Sequence, residues 1–190
     1  MRTVFLDRDG TLNTERGFVT RVEDFSLLPG AIEAVRLLDE AGLALVVVTN
    51  QSGIARGLYG ETTLARIHAH AHQLLGGRIR AWLHCPHHPD EAGAYGRRCD
   101  CRKPGSGLLH QAAELVGSTF EGSYLIGDAA RDILMAGLLP VTTIMVRSGK
   151  EHRHELAAAH AGGRAPDACV DDVLAAARWI LARESLRPRQ

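Results

Sequence analysis

Five short apolar stretches rich in β-branched residues punctuate the chain, and longer segments of mixed polarity separate them. Continuous apolar runs of this length are typical of strands buried on both faces, as in a parallel sheet. The five predicted strands are Thr3–Leu6, Leu43–Val48, Ile79–Leu83, Ser123–Ile126 and Thr142–Val146.

Between these stretches the pattern favours helices. Pro29–Ala41 begins with Pro at a first-turn position and ends before Gly42, which are common start and stop signals. Strands that alternate with helices predict an α/β fold, in which a doubly wound, mostly parallel sheet carries helices on both faces. The other predicted helices are Glu61–Leu75, Ser106–Val116, Ala130–Leu138 and Val170–Glu184.

The bulk properties fit one globular domain. At 190 residues the chain can bury a full core, so residues 1–190 are expected to form a single domain with a frayed tail at Ser185–Gln190. The 22 basic and 22 acidic residues balance, so neither a nucleic acid nor a membrane surface is expected as a partner. The sequence has no signal-peptide pattern and no apolar run of about 18 residues, which predicts a cytoplasmic protein. Nothing in it requires a dimer, so a monomer is expected.

Polar residues follow four of the five predicted strands, where ligands bind in sheets of this kind. Asp7-Arg8-Asp9-Gly10-Thr11 follows the first strand, and Thr49-Asn50-Gln51-Ser52-Gly53 follows the second. The third leads into a cysteine-rich loop that ends at Arg102-Lys103-Pro104, and the fourth into Gly127-Asp128, with Asp132 close behind. The fifth predicted strand is the only one that is expected to contribute no polar site residues.

These residues suit phosphate chemistry. Asp7, Asp9 and Asp128 are oxygen ligands of the kind that Mg²⁺ uses when it bridges to a substrate phosphate. A carboxylate can also be a nucleophile that forms an aspartyl-phosphate, and Asp9 could then protonate the leaving oxygen and activate water. The Thr49 hydroxyl and the Lys103 ammonium would hold the phosphoryl oxygens. The alternative that the first two aspartates merely cap a turn is disfavoured by the other three residues at strand ends.

Four segments together resemble the motifs of the haloacid dehalogenase superfamily of phosphohydrolases. They are DRDGT, VVVTN, RKP and GDAARD, in that order within residues 3–147. The resemblance implies that Asp7 is the nucleophile, that Asp9 is the general acid and base, and that Mg²⁺ binds the carboxylates of Asp7 and Asp128 and the backbone carbonyl of Asp9. Asp132 is by analogy a supporting acid, or else an ordinary first-turn helix acid. The short gaps between the motifs leave no room for a cap domain, so an open site is expected.

The loop from residue 85 to residue 101 holds three of the four cysteines. Three thiolates and one imidazole make a closed tetrahedral shell for structural Zn²⁺, which would fix the adjacent pair Arg102 and Lys103 at the site. Free thiols or a redox pair are the alternatives, and His84 or His88 could replace the predicted imidazole. The predicted zinc ligands are Cys85, His87, Cys99 and Cys101.

The predicted zinc loop indicates which group of phosphatases within the superfamily the chain resembles. CPHHP…CDCRKPG, FLDRDGTLN and TNQSGIARG are similar to the D-glycero-D-manno-heptose-1,7-bisphosphate 7-phosphatases, which implies a small phosphorylated sugar as substrate. Histidinol-phosphate phosphatases share the cysteine core and are the enzymatic alternative, although the loop is long for them. A polynucleotide 3′-phosphatase is disfavoured by the neutral charge. A catalytically inactive zinc-stabilised binding protein is disfavoured by the intact motifs.

The resemblance also implies substrate contacts. Arg16 and Arg102 would suit a second phosphate because a guanidinium matches its oxygens, although Arg16 could equally be a solvated charge. Related heptose enzymes carry Lys where this chain has Ala129, so one substrate-binding cation is missing unless Arg131 replaces it. The implied substrate contacts are Arg8, Glu15, Arg16, Gly17, Phe18, Asn50, Gln51, Ser52 and Arg102.

Several histidines and both tryptophans are interpreted as incidental or structural. His68 and His72 could chelate a metal on the predicted helix Glu61–Leu75, but a chance pair on a surface helix is the favoured interpretation. The histidine-containing segment from residue 152 to residue 160 is interpreted as a helix edge or a loop. Trp82 and Trp179 are assigned to the core.

Overall fold

A computed structural model describes residues 1–186 and contains one six-stranded sheet. The strand order is β3-β2-β1-β4-β5-β6, and every neighbouring pair is parallel. This confirms the predicted doubly wound α/β fold. The strands are β1 (Thr3–Leu6), β2 (Ala44–Asn50), β3 (Ala81–Cys85), β4 (Ser123–Gly127), β5 (Val141–Val146) and β6 (Ala168–Val170).

Helices cover both faces of the sheet. Successive side chains of β1 point to opposite faces, so Val4 and Leu6 pack with the helices Ala31–Glu40 and Val173–Ser185, whereas Phe5 packs with the helix Gly107–Val116. A short 3₁₀ helix spans Val22–Asp24. The α-helices are α1 (Ala31–Glu40), α2 (Glu61–Leu74), α3 (Gly107–Val116), α4 (Ala130–Leu134), α5 (His152–Ala161) and α6 (Val173–Ser185).

Several predicted boundaries are wrong by a few residues, including the end of β2, which lies at Asn50 rather than at Val48. Helix α1 begins at Ala31 rather than at Pro29, because Gly30 has a left-handed backbone with φ of 80°. Helix α4 is shorter than predicted and ends at Leu134. Strand β3 lies two residues later than predicted, so that Cys85 is its last residue.

The C-terminal part contains two elements that the sequence pattern did not predict. Ala168–Val170 is the edge strand β6, so the predicted helix at Val170 begins only at Val173, where the Asp172 carboxylate accepts a hydrogen bond from the Ala175 amide at 2.8 Å. The segment interpreted as a helix edge or loop is helix α5. Of the predicted frayed tail, Ser185 ends α6, and residues 187–190 lie outside the described part.

The strand order places the first and fourth strand ends side by side. From β1 the chain adds strands first on one side and then, beginning with β4, on the other side. Sheets of this class bind ligands at the point between β1 and β4 where this direction changes. Asp7 follows β1 directly, and its amide donates to the Ile126 carbonyl of β4 at 2.9 Å. Asp128 follows β4. No helix within residues 1–186 is long and apolar enough to cross a membrane.

Candidate active site

Lys103 joins two carboxylates at the centre of the site. Its Nζ donates to Oδ1 of Asp7 at 2.6 Å and to Oδ1 of Asp132 at 2.7 Å, and all three side chains are buried. Burial alone would lower the pKa of Lys103, but the charges of Asp132 and Asp7 and their hydrogen bonds raise it above its ordinary value. The other oxygen of Asp132 accepts from the Ala129 amide at 3.0 Å. Asp132 is therefore both a helix-capping acid and a support for Lys103.

Three buried carboxylates form a group that could hold a metal ion. One oxygen each of Asp7, Asp128 and Asp132 lies within 4.8 Å of the others. Within the described residues, Oδ2 of Asp7 and Oδ1 of Asp128 are buried without a hydrogen-bond partner, whereas both oxygens of Asp132 are engaged. The unsatisfied oxygens of Asp7 and Asp128 are what a divalent cation would stabilise, so the donor set fits Mg²⁺.

Burial and mutual repulsion raise the pKa values of Asp7 and Asp128 in the absence of a cation. Burial is the main cause that raises the pKa of Asp128 to about 8, with Asp7 and Asp132 adding to it. Burial also raises the pKa of Asp7 to about 6, although the Lys103 charge opposes this. The site is therefore short of positive charge, and a cation would favour both ionised forms.

Residues after β5 enclose Asp128, which corrects the prediction that the fifth strand contributes nothing. The Lys150 amide donates to Oδ2 of Asp128 at 2.9 Å, and the Ser148 hydroxyl donates to the Gly10 carbonyl at 2.8 Å. A Cβ atom would come within 2.0 Å of this oxygen at Gly149 and within 2.3 Å at Gly10. Only glycine fits these two positions, because the backbone approaches the carboxylate directly.

Asp9 is partly exposed, and three side chains hold it. NH2 of Arg8 donates to both of its oxygens at 2.9 Å, and the amides of Asn13 and Gln51 each donate at 2.9 Å. Burial by itself would raise the pKa of Asp9, but the Arg8 charge and these hydrogen bonds lower it below its ordinary value. Asp9 is thus held as a carboxylate in a fixed orientation.

Three of the predicted substrate contacts form hydrogen bonds with other residues of the site. Arg8 is only 1% exposed and faces Asp9, so its guanidinium cannot meet a substrate in the cleft. The amide nitrogen of Gln51 also donates to the Thr49 hydroxyl at 2.9 Å. Asn50 bonds the backbone of Lys103 in both directions, at 3.1 and 3.3 Å. Adjacency in a motif does not distinguish a side chain that points into the cleft from one that points behind it.

The Gln51 side chain is fixed in turn by Tyr59. The Tyr59 hydroxyl donates to Oε1 of Gln51 at 2.7 Å. A Cβ atom at Gly53 would come within 2.3 Å of the Tyr59 ring, so this glycine makes room for the tyrosine. Gly53 is therefore explained by its packing against the Tyr59 ring.

The other predicted substrate contacts are exposed or half-buried. Arg16, Gly17 and Phe18 are exposed, and Ser52 is half-buried. Glu15 accepts from the Gly17 amide at 2.7 Å and lies 3.3 Å from the Lys150 ammonium. Arg102 is half-buried, and its NH1 donates to the His87 carbonyl at 3.2 Å.

Arg131 is a further cation at the site. Burial opposes its charge, but Asp132, Asp7 and Asp128 raise the pKa of its guanidinium above its ordinary value. Its Nε is buried without a hydrogen-bond partner in the part of the chain that the structure describes. Arg131 therefore adds positive charge beside the site carboxylates.

His68 is buried, which corrects its assignment to a chance pair on a helix surface. Its Nε2 lies 3.2 Å from NH1 of Arg8, and its ring centroid lies 4.9 Å from that of Trp82. Burial, followed by the charge of Arg8, lowers the pKa of His68 to about 3. The apolar spacing of Leu64, Ile67 and Ala71 in α2 is the sequence signal that could have placed His68 on the buried face.

The four predicted zinc ligands lie together. The Sγ atoms of Cys85, Cys99 and Cys101 are 3.1–3.5 Å apart, and Nδ1 of His87 lies 3.3 Å from the Sγ of Cys101. Thiolates at zinc-bond length in a tetrahedron lie about 3.8 Å apart, so the cluster fits Zn²⁺ after a small expansion.

The two alternative histidines are engaged elsewhere. His84 contacts Glu61 at 2.8 Å, and His88 contacts Arg56 at 3.1 Å. This favours His87 as the fourth ligand.

The chain resembles known phosphatases in sequence and in structure. Residues 100–176 match the model of the HAD-hydrolase-like family. A D-glycero-beta-D-manno-heptose-1,7-bisphosphate 7-phosphatase of Haemophilus ducreyi is 40% identical over 154 residues, which are 78% of this chain and 85% of that protein. The relative of the same name from Escherichia coli K12 is 40% identical over 152 residues, 77% of this chain and 80% of that protein.

A solved structure extends this likeness over nearly the whole chain. The D,D-heptose 1,7-bisphosphate phosphatase from B. bronchiseptica, complexed with magnesium and phosphate, superposes with a TM-score of 0.82 at 33% identity. The match covers 96% of this chain and 99% of that one. The corresponding enzyme from Burkholderia thailandensis has a TM-score of 0.68 at 30% identity, with the same coverage of both chains.

Proposed function

We propose, from the premise that this chain belongs to the HAD-like hydrolase family of heptose bisphosphate phosphatases, that it removes the 7-phosphate of D-glycero-β-D-manno-heptose 1,7-bisphosphate. The reaction is Mg²⁺-dependent hydrolysis of a phosphomonoester through an aspartyl-phosphate. The observation that carries the chemistry is the meeting of Asp7, Lys103 and Asp128 at the strand ends. The observation that carries the substrate is about 40% identity to enzymes of that name.

In the first step, Asp7 attacks phosphorus and the bond from phosphorus to the sugar oxygen breaks. Lys103 binds Oδ1 of Asp7 and is placed to hold an oxygen of the incoming phosphoryl group, together with the Thr49 hydroxyl. Asp9 enters this step with the proton that it took from water in the preceding turnover, although the free site favours its carboxylate. It passes this proton to the departing oxygen, so that the sugar leaves as an alcohol. The products of this step are the alcohol and a phosphoryl group on Asp7.

In the second step, water attacks the phosphorus of the aspartyl-phosphate. Asp9, now a carboxylate, takes a proton from that water, and the bond between Asp7 and phosphorus breaks. Inorganic phosphate leaves, and the Asp7 carboxylate is restored. Arg8, Asn13 and Gln51 favour the ionised Asp9 that this step requires.

Mg²⁺ would be held by the carboxylates of Asp7 and Asp128 and by the backbone carbonyl of Asp9. When bound, it supplies positive charge that neutralises the phosphoryl oxygens. Asp132 acts through Lys103, which it holds at 2.7 Å. Zn²⁺ at the cluster of Cys85, His87, Cys99 and Cys101 would be structural, because four protein ligands leave no open position.

Surface cations would bind the second phosphate of the substrate. Arg16, which is exposed, and Arg102, which is half-buried, are the cations proposed for this role, with Gly17, Phe18 and Ser52 as further proposed contacts. Arg131 would supply the charge that Ala129 lacks, since it lies within the field of the site carboxylates and its Nε has no hydrogen-bond partner among residues 1–186. Histidinol phosphate has a single phosphate and would leave these cations unpaired.

The proposed site needs no second subunit, so a monomer is the proposed active form. Every group assigned to catalysis comes from one chain, and the neutral charge balance supports a small substrate rather than a nucleic acid. A cluster of three thiols at a metal site supports a cytoplasmic location, because thiols stay reduced there.

A substrate panel tests this function. Phosphate release with Mg²⁺ is measured on the β and α anomers of the heptose 1,7-bisphosphate and on histidinol phosphate, with Asp7→Asn as the inactive control. We expect the highest kcat/KM on the β anomer. Preference for histidinol phosphate would overturn the substrate, and full activity of Asp7→Asn would overturn the mechanism.

A further inference from the structure

A chain of buried contacts extends behind Asp9 into the protein. NH2 of Arg8 donates to both oxygens of Asp9 at 2.9 Å, and NH1 of the same guanidinium lies 3.2 Å from Nε2 of His68. Arg8 is 1% exposed and His68 is 7% exposed, so neither side chain can meet a substrate. Their effect on the reaction must pass through Asp9.

The hydrogen bond from Arg8 determines the protonation state and the tautomer of the His68 ring. A guanidinium only donates hydrogen bonds, so Nε2 of His68 must be the acceptor and Nδ1 must carry the proton of a neutral ring. The ring lies against Trp82, with a centroid distance of 4.9 Å and an interplanar angle of 30°. A buried donor without an acceptor is costly, so His68 determines where NH1 of Arg8 points.

We propose that His68 is a positioning residue, which holds Arg8 so that the carboxyl of Asp9 is aimed at the leaving oxygen of the substrate. The inference rests on the proposed function, because that function makes Asp9 the acid and base. His68 exchanges no proton in the reaction. Its contribution is orientation, and a misplacement of about 1 Å at a reacting group can lower a rate about 100-fold.

Two variants of His68 and one control separate orientation from folding. His68→Leu removes the acceptor but keeps an apolar side chain against Trp82. His68→Gln keeps an acceptor in its place. His72→Leu is the control, since His72 lies on the same helix and accepts from Nε1 of Trp82 at 3.5 Å but has no contact with Arg8.

The readout compares two esters in a single turnover, in which release of the alcohol reports the first chemical step. An alkyl phosphate needs a proton from Asp9 for its leaving oxygen, whereas 4-nitrophenyl phosphate needs little help. We expect His68→Leu to slow the alkyl ester about 10- to 100-fold and the aryl ester less than about threefold. The concentration at which the single-turnover rate is half-maximal should change less than about twofold. We expect His68→Gln to recover most of the rate and His72→Leu to match the wild type.

Other results would overturn the inference. Unchanged rates in His68→Leu, or equal losses on both esters, would mean that His68 does not position the acid. A ¹⁵N spectrum of the histidine rings tests the contact itself, and a protonated Nε2 of His68 would contradict it. Failure of the inference alone leaves wild-type activity intact. A wild-type protein that hydrolyses no phosphate ester would overturn the proposed function and this inference with it.

Discussion

Nζ of Lys103 lies 2.6 Å from Oδ1 of Asp7, although 96 positions separate the two residues in the chain. Strand β1 delivers the carboxylate, and the loop after β3 delivers the ammonium. Asn50, at the end of the strand between them, bonds the Lys103 backbone in both directions. The pair thus depends on three neighbouring strands, and its charges are matched in a buried site.

Replacement of Lys103 with Met tests this pair. The change leaves two buried carboxylates without their cation and removes a group that would hold the phosphoryl oxygens. We expect kcat to fall about 100- to 1,000-fold and the free energy of unfolding to fall by about 3–5 kcal/mol. Chemical denaturation and phosphate release measure the two effects. Lys150→Met is the stability control, because its half-exposed pair with Glu15 should contribute less than about 1 kcal/mol. Equal effects of the two variants on stability would contradict the account.

The buried carboxyls of Asp7 and Asp128 predict that the response of the protein to Mg²⁺ depends on pH. Burial raises the pKa of Asp7 to about 6 and that of Asp128 to about 8 in the metal-free fold, above the ordinary value of 3.8. The folded state therefore binds protons more tightly than the unfolded state, and metal-free stability falls as the pH rises through these values. Mg²⁺ competes with the same protons. We expect it to raise Tm more at about pH 8 than at about pH 5.5.

Asp128→Asn is the control for that response. It removes the carboxyl with the higher pKa, so the Mg²⁺-dependent increase in Tm should shrink and lose most of its pH dependence. Equal increases at both pH values in the wild type would contradict a site made of these carboxylates. Thermal unfolding at fixed Mg²⁺ concentration is sufficient for the whole series.

Two cysteine variants test the zinc cluster. Cys99→Ser removes one of the four clustered ligands, whereas Cys169→Ser changes a cysteine outside the cluster. We expect about one equivalent of zinc in the wild type and in Cys169→Ser, and a large loss in Cys99→Ser. Activity should fall with the metal, because Cys101 directly precedes Arg102 and Lys103. Metal analysis of protein purified without added metal gives the result. Less than about half an equivalent, with four reactive thiols, would remove the zinc assignment.

Arg131→Met tests the cation that would replace the missing lysine. We expect KM for the bisphosphate to rise about 10- to 100-fold, which corresponds to the loss of a charge-assisted hydrogen bond. Adding Ala129→Lys to this variant should restore part of the affinity. Arg147→Met is the control, since Arg147 is exposed and pairs with Asp171 at 2.9 Å. An unchanged KM in Arg131→Met would exclude a contact with the substrate.

The sheet and the grouping of the aspartates could be predicted from the sequence, because both follow from local patterns. Apolar runs define β1 to β5, and parallel strands bring Asp7 and Asp128 to the same edge. The four zinc ligands were predicted from spacing, and they lie together in the structure. Strand β6 was missed because three residues at a sheet edge are too few to separate from the start of a helix.

The directions of individual side chains could not be predicted in the same way. Arg8 lies inside a motif whose neighbours reach the cleft, yet it points behind them to His68, which is distant in sequence. Gln51 likewise supports Asp9 and Thr49. Such contacts depend on how α2 packs against the sheet, and a motif records spacing along the chain rather than this packing.

The stereochemical course at phosphorus tests the central claim most directly. The measurement uses a heptose phosphate whose transferred group is made chiral with sulfur and oxygen isotopes, hydrolysed in isotopically labelled water. Attack by Asp7 inverts phosphorus once and attack by water inverts it again, so the account predicts overall retention. Inversion would show that water attacks the substrate directly, and would contradict Asp7 as the nucleophile.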